Sequence, residues 1–381
     1  MISILTFVFL EPDVEITRDS VVIYWETYTR ALNPMVKIHF GGEDTLLSAE
    51  CTEKRGKYVC KSDKLPVKDG EIRVSVSVQD SAGFNWISNE WKYIIKNGML
   101  YPTVYLGPFL FLDGSGSGNY NIVFWVYPYY EKTEVLLEVW SPFEVRKNRT
   151  FRKVYRIKPI NRGRKFVAQI NQLPKDTIIY YKILIVYGKD TVETPNYSFR
   201  TFPEGFGVYR FALINNISTQ RYAFSPTKRL NGVNCEDLGK MLMVSKINGV
   251  EVVFVGGDVI QPSKDTTIAR IQYRSFLKCA EPFASGTPIM VVMGEGEALS
   301  PYVETKKGIY PKVRRYSKWF LESKILSPET FFAIYIHNPY TSPRGSRYMR
   351  NVFYFKYKGD IFLVLNPLIN MSEGLYVDKV Q

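Results

Sequence analysis

The sequence predicts a multidomain β plus α/β protein: two β-sandwich units over residues 1–97 and 98–204, then an α/β unit over 205–381. Three observations predict this. Strand-like runs with period-two alternation fill the first two hundred residues. From Tyr209 onward short apolar runs alternate with stretches of helical spacing. A chain of 381 residues is long enough for two to four domains and buries an ample core without metal or disulfide staples.

In the first unit, Val21–Trp25 and Met35–Phe40 read as strands. Ile72, Val74, Val76 and Val78 alternate with Arg73, Ser75 and Ser77, which is a strand with one buried face. Asp80-Ser81-Ala82-Gly83 supplies turn chemistry, and Trp91–Ile95 follows as another strand. This unit resembles an immunoglobulin-like surface domain, whose late strands carry a similar V-x-V-x-D-x-A-G run. Asn97-Gly98 marks a boundary.

The second unit opens on Ile122–Val126, with Trp125 in an early strand. Leu173-Pro174-Lys175-Asp176-Thr177 precedes Tyr180-Tyr181, and Phe199-Arg200-Thr201 closes the series. In that order these motifs resemble the fibronectin type III-like domain of purple acid phosphatases. A corner tyrosine there buries its ring and bonds its hydroxyl to backbone.

The third unit runs strand, helix, strand, helix, strand. Phe211–Ile214 is a short apolar run, and Leu238, Met241 and Leu242 have helical spacing. Val252–Val255 is a continuous apolar strand. Ile268, Ile271, Phe276 and Cys279 share a helix face, and Pro288–Met293 is a third buried strand. Such alternation implies right-handed crossovers and a parallel sheet, with functional loops at the strand C-termini. Those loops carry Asn215-Asn216, Gly256-Gly257-Asp258 and Gly294-Glu295-Gly296-Glu297.

The three clusters resemble the calcineurin-like metallophosphoesterase domain of purple acid phosphatases. Against the family's F-x-L-I-G-D, this chain reads Phe211-Ala212-Leu213-Ile214-Asn215-Asn216, so Asn216 replaces a metal-binding Asp. Against V-G-D it keeps Asp258 after one extra glycine. Against G-N-H-E it has lost both the metal-binding Asn and the His. The stretch Tyr335–Tyr340 and the run Val352–Leu365 resemble the loop and hairpin that follow. The family's C-terminal half, with its G-H-x-H signature, has no counterpart. The resemblance spans about residues 99–381 and implies a degenerate, partial metallophosphoesterase-like α/β sandwich behind the two immunoglobulin/fibronectin-like β-sandwiches.

The departures decide the expected function. A dinuclear centre needs carboxylates and imidazoles in fixed number. The chain holds two histidines, and neither His39 nor His337 stands at a family ligand position. No catalytic residue and no cofactor are expected. Asp258, Asn216 and Glu295 are the ligand candidates if Fe, Zn or Mn binds at all, with a turn-capping role as the other reading of Asp258. The expectation is a non-catalytic extracellular or cell-surface protein acting in assembly or adhesion. The alternative is a divergent metal-dependent phosphoesterase with an altered site.

Cysteines and charge complete the reading. Cys51 and Cys60 flank Lys54-Arg55-Gly56-Lys57, a hairpin-like turn, and are expected to be bridged. Cys235 and Cys279 form the second local pair, with buried thiols as its other reading. The sequons at Asn148, Asn196, Asn216 and Asn370 are glycosylation candidates and tilt toward an exported chain. Lysine and arginine number 50 against 37 acids, a net charge of +13. Ten of these bases, Arg146, Lys147, Arg149, Arg152, Lys153, Arg156, Lys158, Arg162, Arg164 and Lys165, fall in one acid-free stretch. That ribbon suits an anionic polymer or surface, or else is a solvated edge hairpin protected by its charges. Nucleic acid is not expected. The Gly/Ser run Gly114–Gly118 precedes no helix and reads as a hairpin loop.

Nothing in the sequence is long and apolar enough to span a bilayer. Ile2–Leu10 is about half the length needed and reads as a strand or as the tail of a clipped signal. A half-built second sheet implies that the chain self-associates or has an obligate partner, with Ile2–Leu10 as one candidate donor strand.

Overall fold

The computed structural model describes residues 12–17, 19–27, 30–54, 57–79, 83, 85–88, 90–114, 119–144, 149–160, 164–203, 207–215, 217, 233–263, 266–300, 302–305, 308–311, 328–339, 341 and 352–365. Strands dominate, as the alternating runs predict. The N-terminal unit contains β1 (Asp13–Ile16), β2 (Ser20–Thr27), β3 (Leu32–Phe40), β4 (Glu43–Lys54), β5 (Lys57–Ser62), β6 (Leu65–Pro66), β7 (Gly70–Gln79), β8 (Asn85–Ile87), β9 (Trp91–Lys96) and β10 (Met99–Tyr101). Their order is β1-β2-β5-β4-β3-β7-β9-β10, with β6 on β2 and β8 on β7.

The long strand β4 joins the two halves of this sheet. Its residues Glu43–Ser48 pair with β3 and Ala49–Lys54 pair with β5. Trp25, Val36, Ile38, Val74 and Val76 are buried in the core between them. The alternation in β7 is as predicted, with Ile72, Val74, Val76 and Val78 inside. Asn97 and Gly98, at φ 52° and 68°, form the tight turn from β9 into β10. The chain therefore leaves the first sheet only after Tyr101.

The second unit is a sandwich of β11 (Thr103–Leu112), β12 (Tyr120–Tyr127), β13 (Glu134–Glu144), β14 (Arg149–Ile157), β15 (Lys165–Ile170), β16 (Ile178–Tyr187), β17 (Asp190–Glu193) and β18 (Tyr197–Arg200). One sheet is β11-β12-β15; the other is β14-β13-β16-β17, with β18 also on β16. Trp125 is buried on β12. Tyr181 is fully buried and donates its hydroxyl to the Ser285 carbonyl at 2.6 Å. The bond to backbone that a corner tyrosine favours is thus made, but across to the α/β unit.

That unit contains β19 (Phe211–Ile214), α1 (Cys235–Ile247), β20 (Val252–Val255), α2 (Thr266–Ala284), β21 (Ile289–Val291), α3 (Glu295–Ala298), β22 (Tyr302–Thr305), β23 (Gly308–Pro311), α4 (Pro328–Tyr335), β24 (Phe353–Tyr357) and β25 (Asp360–Val364). Strands β19, β20 and β21 form the predicted parallel sheet. Val253, Val255, Ile289 and Val291 face the helices and share a core with Leu238, Leu242, Phe276 and Leu277. Val252, Phe254 and Met290 face the β24–β25 hairpin and pack with Phe353, Phe355 and Phe362. Asn234 caps α1, its side-chain oxygen accepting from the Asp237 nitrogen at 3.2 Å.

Helix α2 ties the three units together. It packs on β11, and the Lys278 ammonium sits 6.0 Å from the Trp91 ring centroid on β9. Arg274 lies over Tyr105 of β11 at 6.0 Å. No described helix is long and apolar enough to cross a membrane.

Candidate functional site

The loops at the C-terminal ends of β19, β20 and β21 converge, as a parallel sheet requires. Their chemistry centres on Glu297, a residue that the sequence reading passed over. Its carboxylate is completely buried and accepts four main-chain N–H groups: Asp258 at 2.9 Å, Val259 at 2.7 Å, Ile260 at 3.0 Å and Gly294 at 2.8 Å. It caps α3 and closes the loop after β20 in one step. Burial pushes its carboxyl up to about 7 while these N–H donors pull the other way. The signal for it was present: in Gly294-Glu295-Gly296-Glu297, the final Glu is the letter that still matches the family's motif beside the leading Gly.

Asp258 is the second clasp. It takes φ 54°, and its Oδ1 accepts from the Gly296 nitrogen at 2.9 Å. This is a loop-closing carboxylate, the turn-capping alternative for that residue. Gly257 adopts φ 93°, and a Cβ there would lie 2.6 Å from the Gly294 Cα. Two main chains touch at that point.

Gly296 is tighter still. A Cβ at this position would sit 2.0 Å from the Ile260 carbonyl oxygen. The loop therefore has no room for a side chain at the position where the family motif carries histidine. Glu295, one residue earlier, is exposed. Asn216 lies outside the described residues. Asn215 lies across Gly256, whose Cβ would fall 1.7 Å from the Asn215 Oδ1. Of the three ligand candidates, Asp258 and Glu295 are thus described at one loop cluster, with Asp258 engaged by main chain. Among the described residues, no three His, Cys, Asp or Glu side chains gather in a metal-holding group.

The histidines stand elsewhere. His39 on β3 bonds Asp44 through Nδ1 at 2.8 Å. His337 follows α4, is buried, and packs edge-on against Phe111 at 6.0 Å. Its neighbour Asn338 is fully buried. The Asn338 amide donates to the Val291 carbonyl at 2.6 Å and accepts from the Val291 nitrogen at 3.1 Å, which completes the edge of β21.

Both cysteine pairs are bridged, Cys51–Cys60 with Cα atoms 4.0 Å apart and Cys235–Cys279 with 5.3 Å. The basic stretch divides between two sheets. Arg152, Lys153 and Arg156 lie on the edge strand β14, with Lys158 just after it, while Lys165 lies on β15 of the other sheet. Arg152 pairs with Glu138, and Arg156 with Glu134 at 3.0 Å. Arg164 covers the Tyr127 ring at 4.2 Å and Lys165 the Trp125 ring at 5.4 Å. Arg149 lies on β14 as backbone; Arg146, Lys147 and Arg162 lie outside the described residues. So do Asn148 and Asn370, whereas Asn196 is exposed just before β18.

The chain is similar to a purple acid phosphatase. That protein, isolated from yellow lupin (Lupinus luteus) seeds, is 13% identical at a TM-score of 0.46, over 89% of this chain and 62% of its own. A structure of PhoD is 15% identical at a TM-score of 0.41, over 68% of this chain and 51% of its own. The chain thus spans 62% and 51% of the two proteins it matches. No family model and no curated protein matches it.

Proposed function

We propose that this chain is a non-catalytic extracellular or cell-surface protein, built on a phosphoesterase-like scaffold and acting in assembly or adhesion. The observation that carries this reading is the occupancy of the loop cluster by its own main chain. The Ile260 carbonyl fills the space a side chain at 296 would need, both oxygens of Glu297 accept main-chain N–H groups, and Asp258 Oδ1 accepts the Gly296 N–H. A carboxylate held by backbone donors is a poor candidate to bind a cation and activate water. The two disulfides fit an oxidising compartment.

The test is metal content after dialysis, combined with turnover of a generic phosphomonoester. Sub-stoichiometric Fe, Zn and Mn with no turnover is the expected result. Stoichiometric metal with hydrolysis would overturn it and instate a divergent phosphoesterase acting through Asp258, Asn216 and Glu295.

A further inference from the structure

The two layers of the α/β unit treat their opposite edges differently. On one side, each terminal strand is closed by a side chain. The Asn338 amide covers both main-chain groups of Val291 on β21. The Thr341 hydroxyl does the same for Tyr354 on β24, accepting from its nitrogen and donating to its carbonyl, both at 2.8 Å. This side faces the second unit, where Gly114 meets Pro339 and Thr341.

On the other side, β19 and β25 end their sheets, and neither has a second strand partner among the described residues. Native proteins blunt such edges with charge, proline or covering groups. Here the edges are apolar. Phe211 and Leu213 on β19 are 53% and 62% exposed; Ile361 and Leu363 on β25 are 65% and 63% exposed, and Leu365 just after it 43%. Phe211 lies against the inner face of β25, meeting Phe362 at 6.2 Å, whereas Ile361 and Leu363 point to the outer face of the hairpin, opposite Phe362 and Val364. A strand added along the β25 edge would extend the hairpin over Phe211 and Leu213 and cover apolar surface that is otherwise left to solvent.

We infer that this edge is the contact between two copies of the chain, with β25 pairing antiparallel to β25 of its partner about a two-fold axis at Phe362. This rests on the assembly reading above and names its surface. The register is self-complementary. Centred on Phe362, it sets Ile361 against Leu363 and Asp360 against Val364, so that no like charges face each other. Asp360 is already held by the Tyr209 hydroxyl at 2.9 Å and Lys358 by Glu251 at 3.0 Å, which keeps both charges off the new seam.

Sedimentation velocity on the full chain across micromolar concentrations tests this. The wild type is expected to form a dimer, and Ile361→Lys/Leu363→Lys to be monomeric. Both substituted side chains are exposed, so far-ultraviolet circular dichroism and the melting midpoint should match wild type. Met243→Lys, on exposed α1, is the control and should leave the dimer intact. A wild type that stays monomeric to about 100 μM, or a dimer indifferent to the double substitution, overturns the inference. If the double variant misfolds, Leu363→Thr replaces it and must weaken the dimer at least several-fold; unchanged association overturns the inference. Phosphomonoester turnover is read separately, so failure of the non-catalytic reading and failure of this contact are distinguishable.

Discussion

Asn338 stands in for a β-strand: its side-chain amide makes both of the hydrogen bonds that a neighbouring strand would make to Val291. The residue is completely buried, so water cannot replace it. Asn338→Ala leaves the Val291 N–H and C=O without this partner in an apolar surround. The expected loss is about 3 kcal/mol, from two orphaned main-chain groups. Urea unfolding followed by tryptophan fluorescence checks it, and a midpoint within error of wild type would contradict the role. Asn338→Asp keeps the acceptor but loses the donor and should also destabilise.

At the loop cluster, Gly296→Ala is expected to destabilise the α/β unit by about 3 kcal/mol, because a methyl must displace the Ile260 carbonyl. The same geometry bears on restoring the family motif. Asn216→Asp/Glu295→Asn/Gly296→His should give no phosphatase, since an imidazole at 296 needs far more space than a methyl. Thermal melts and a phosphomonoester assay on both variants read this out. A well-folded triple variant with turnover would contradict it.

The sequence made parts of this legible and hid others. Val252–Val255 and Pro288–Met293 announced a buried parallel sheet because strands covered on both faces need unbroken apolar runs. Leu238, Met241 and Leu242 announced α1 by period. By contrast β4, Glu43 to Lys54, is rich in Glu, Asp, Thr and Ser and largely exposed, and its inward row of Leu47, Ala49 and Cys51 is small and only half-buried, so its role in joining both halves of the first sheet leaves a weak apolar signature. Phe331–Ile336 is aromatic and β-branched, which favours strand, yet residues through Tyr335 form α4 behind Pro328. Glu297 was hidden for another reason. A carboxylate bonded mainly to the main chain of the loop after the preceding strand, at Asp258, Val259 and Ile260, obeys no periodicity, and only the assembled loops reveal its donors.

Glu297 gives a pH signature. Its carboxyl rises from the ordinary 4.5 to about 7 in the fold. Between these values the folded chain holds a proton that the unfolded chain has released. Stability contributed by this group is therefore full below about 4.5 and falls as pH rises to about 7. Glu297→Gln removes the titration but offers its amide N–H to the same N–H donors. It should be less stable throughout and show a flatter pH dependence in that window. Denaturant midpoints at half-unit pH steps separate the two effects, and parallel curves for variant and wild type would contradict the assignment.

The two disulfides should differ in what they contribute. Cys235 and Cys279 are separated by 44 residues and tie the start of α1 to α2, whereas Cys51 and Cys60 are separated by nine and sit directly opposite each other in the β4–β5 ladder. A cross-link stabilises chiefly by restricting the unfolded chain, and the restriction grows with the loop it closes. On that account the longer bridge contributes about 4 kcal/mol and the shorter about 2.5 kcal/mol. Alanine is the replacement of choice, because Cys60 is completely buried and serine there would add an unpaired hydroxyl. Cys235→Ala/Cys279→Ala should therefore lower the unfolding midpoint of the α/β unit more than Cys51→Ala/Cys60→Ala lowers that of the first unit. The β4–β5 pairing should survive in the second variant, since the ladder from Ala49 to Lys54 is held by main-chain bonds on its own. Equal losses from the two variants, or loss of the first unit's fold without its nine-residue bridge, would show that the short cross-link acts on the native ladder and not on the unfolded chain.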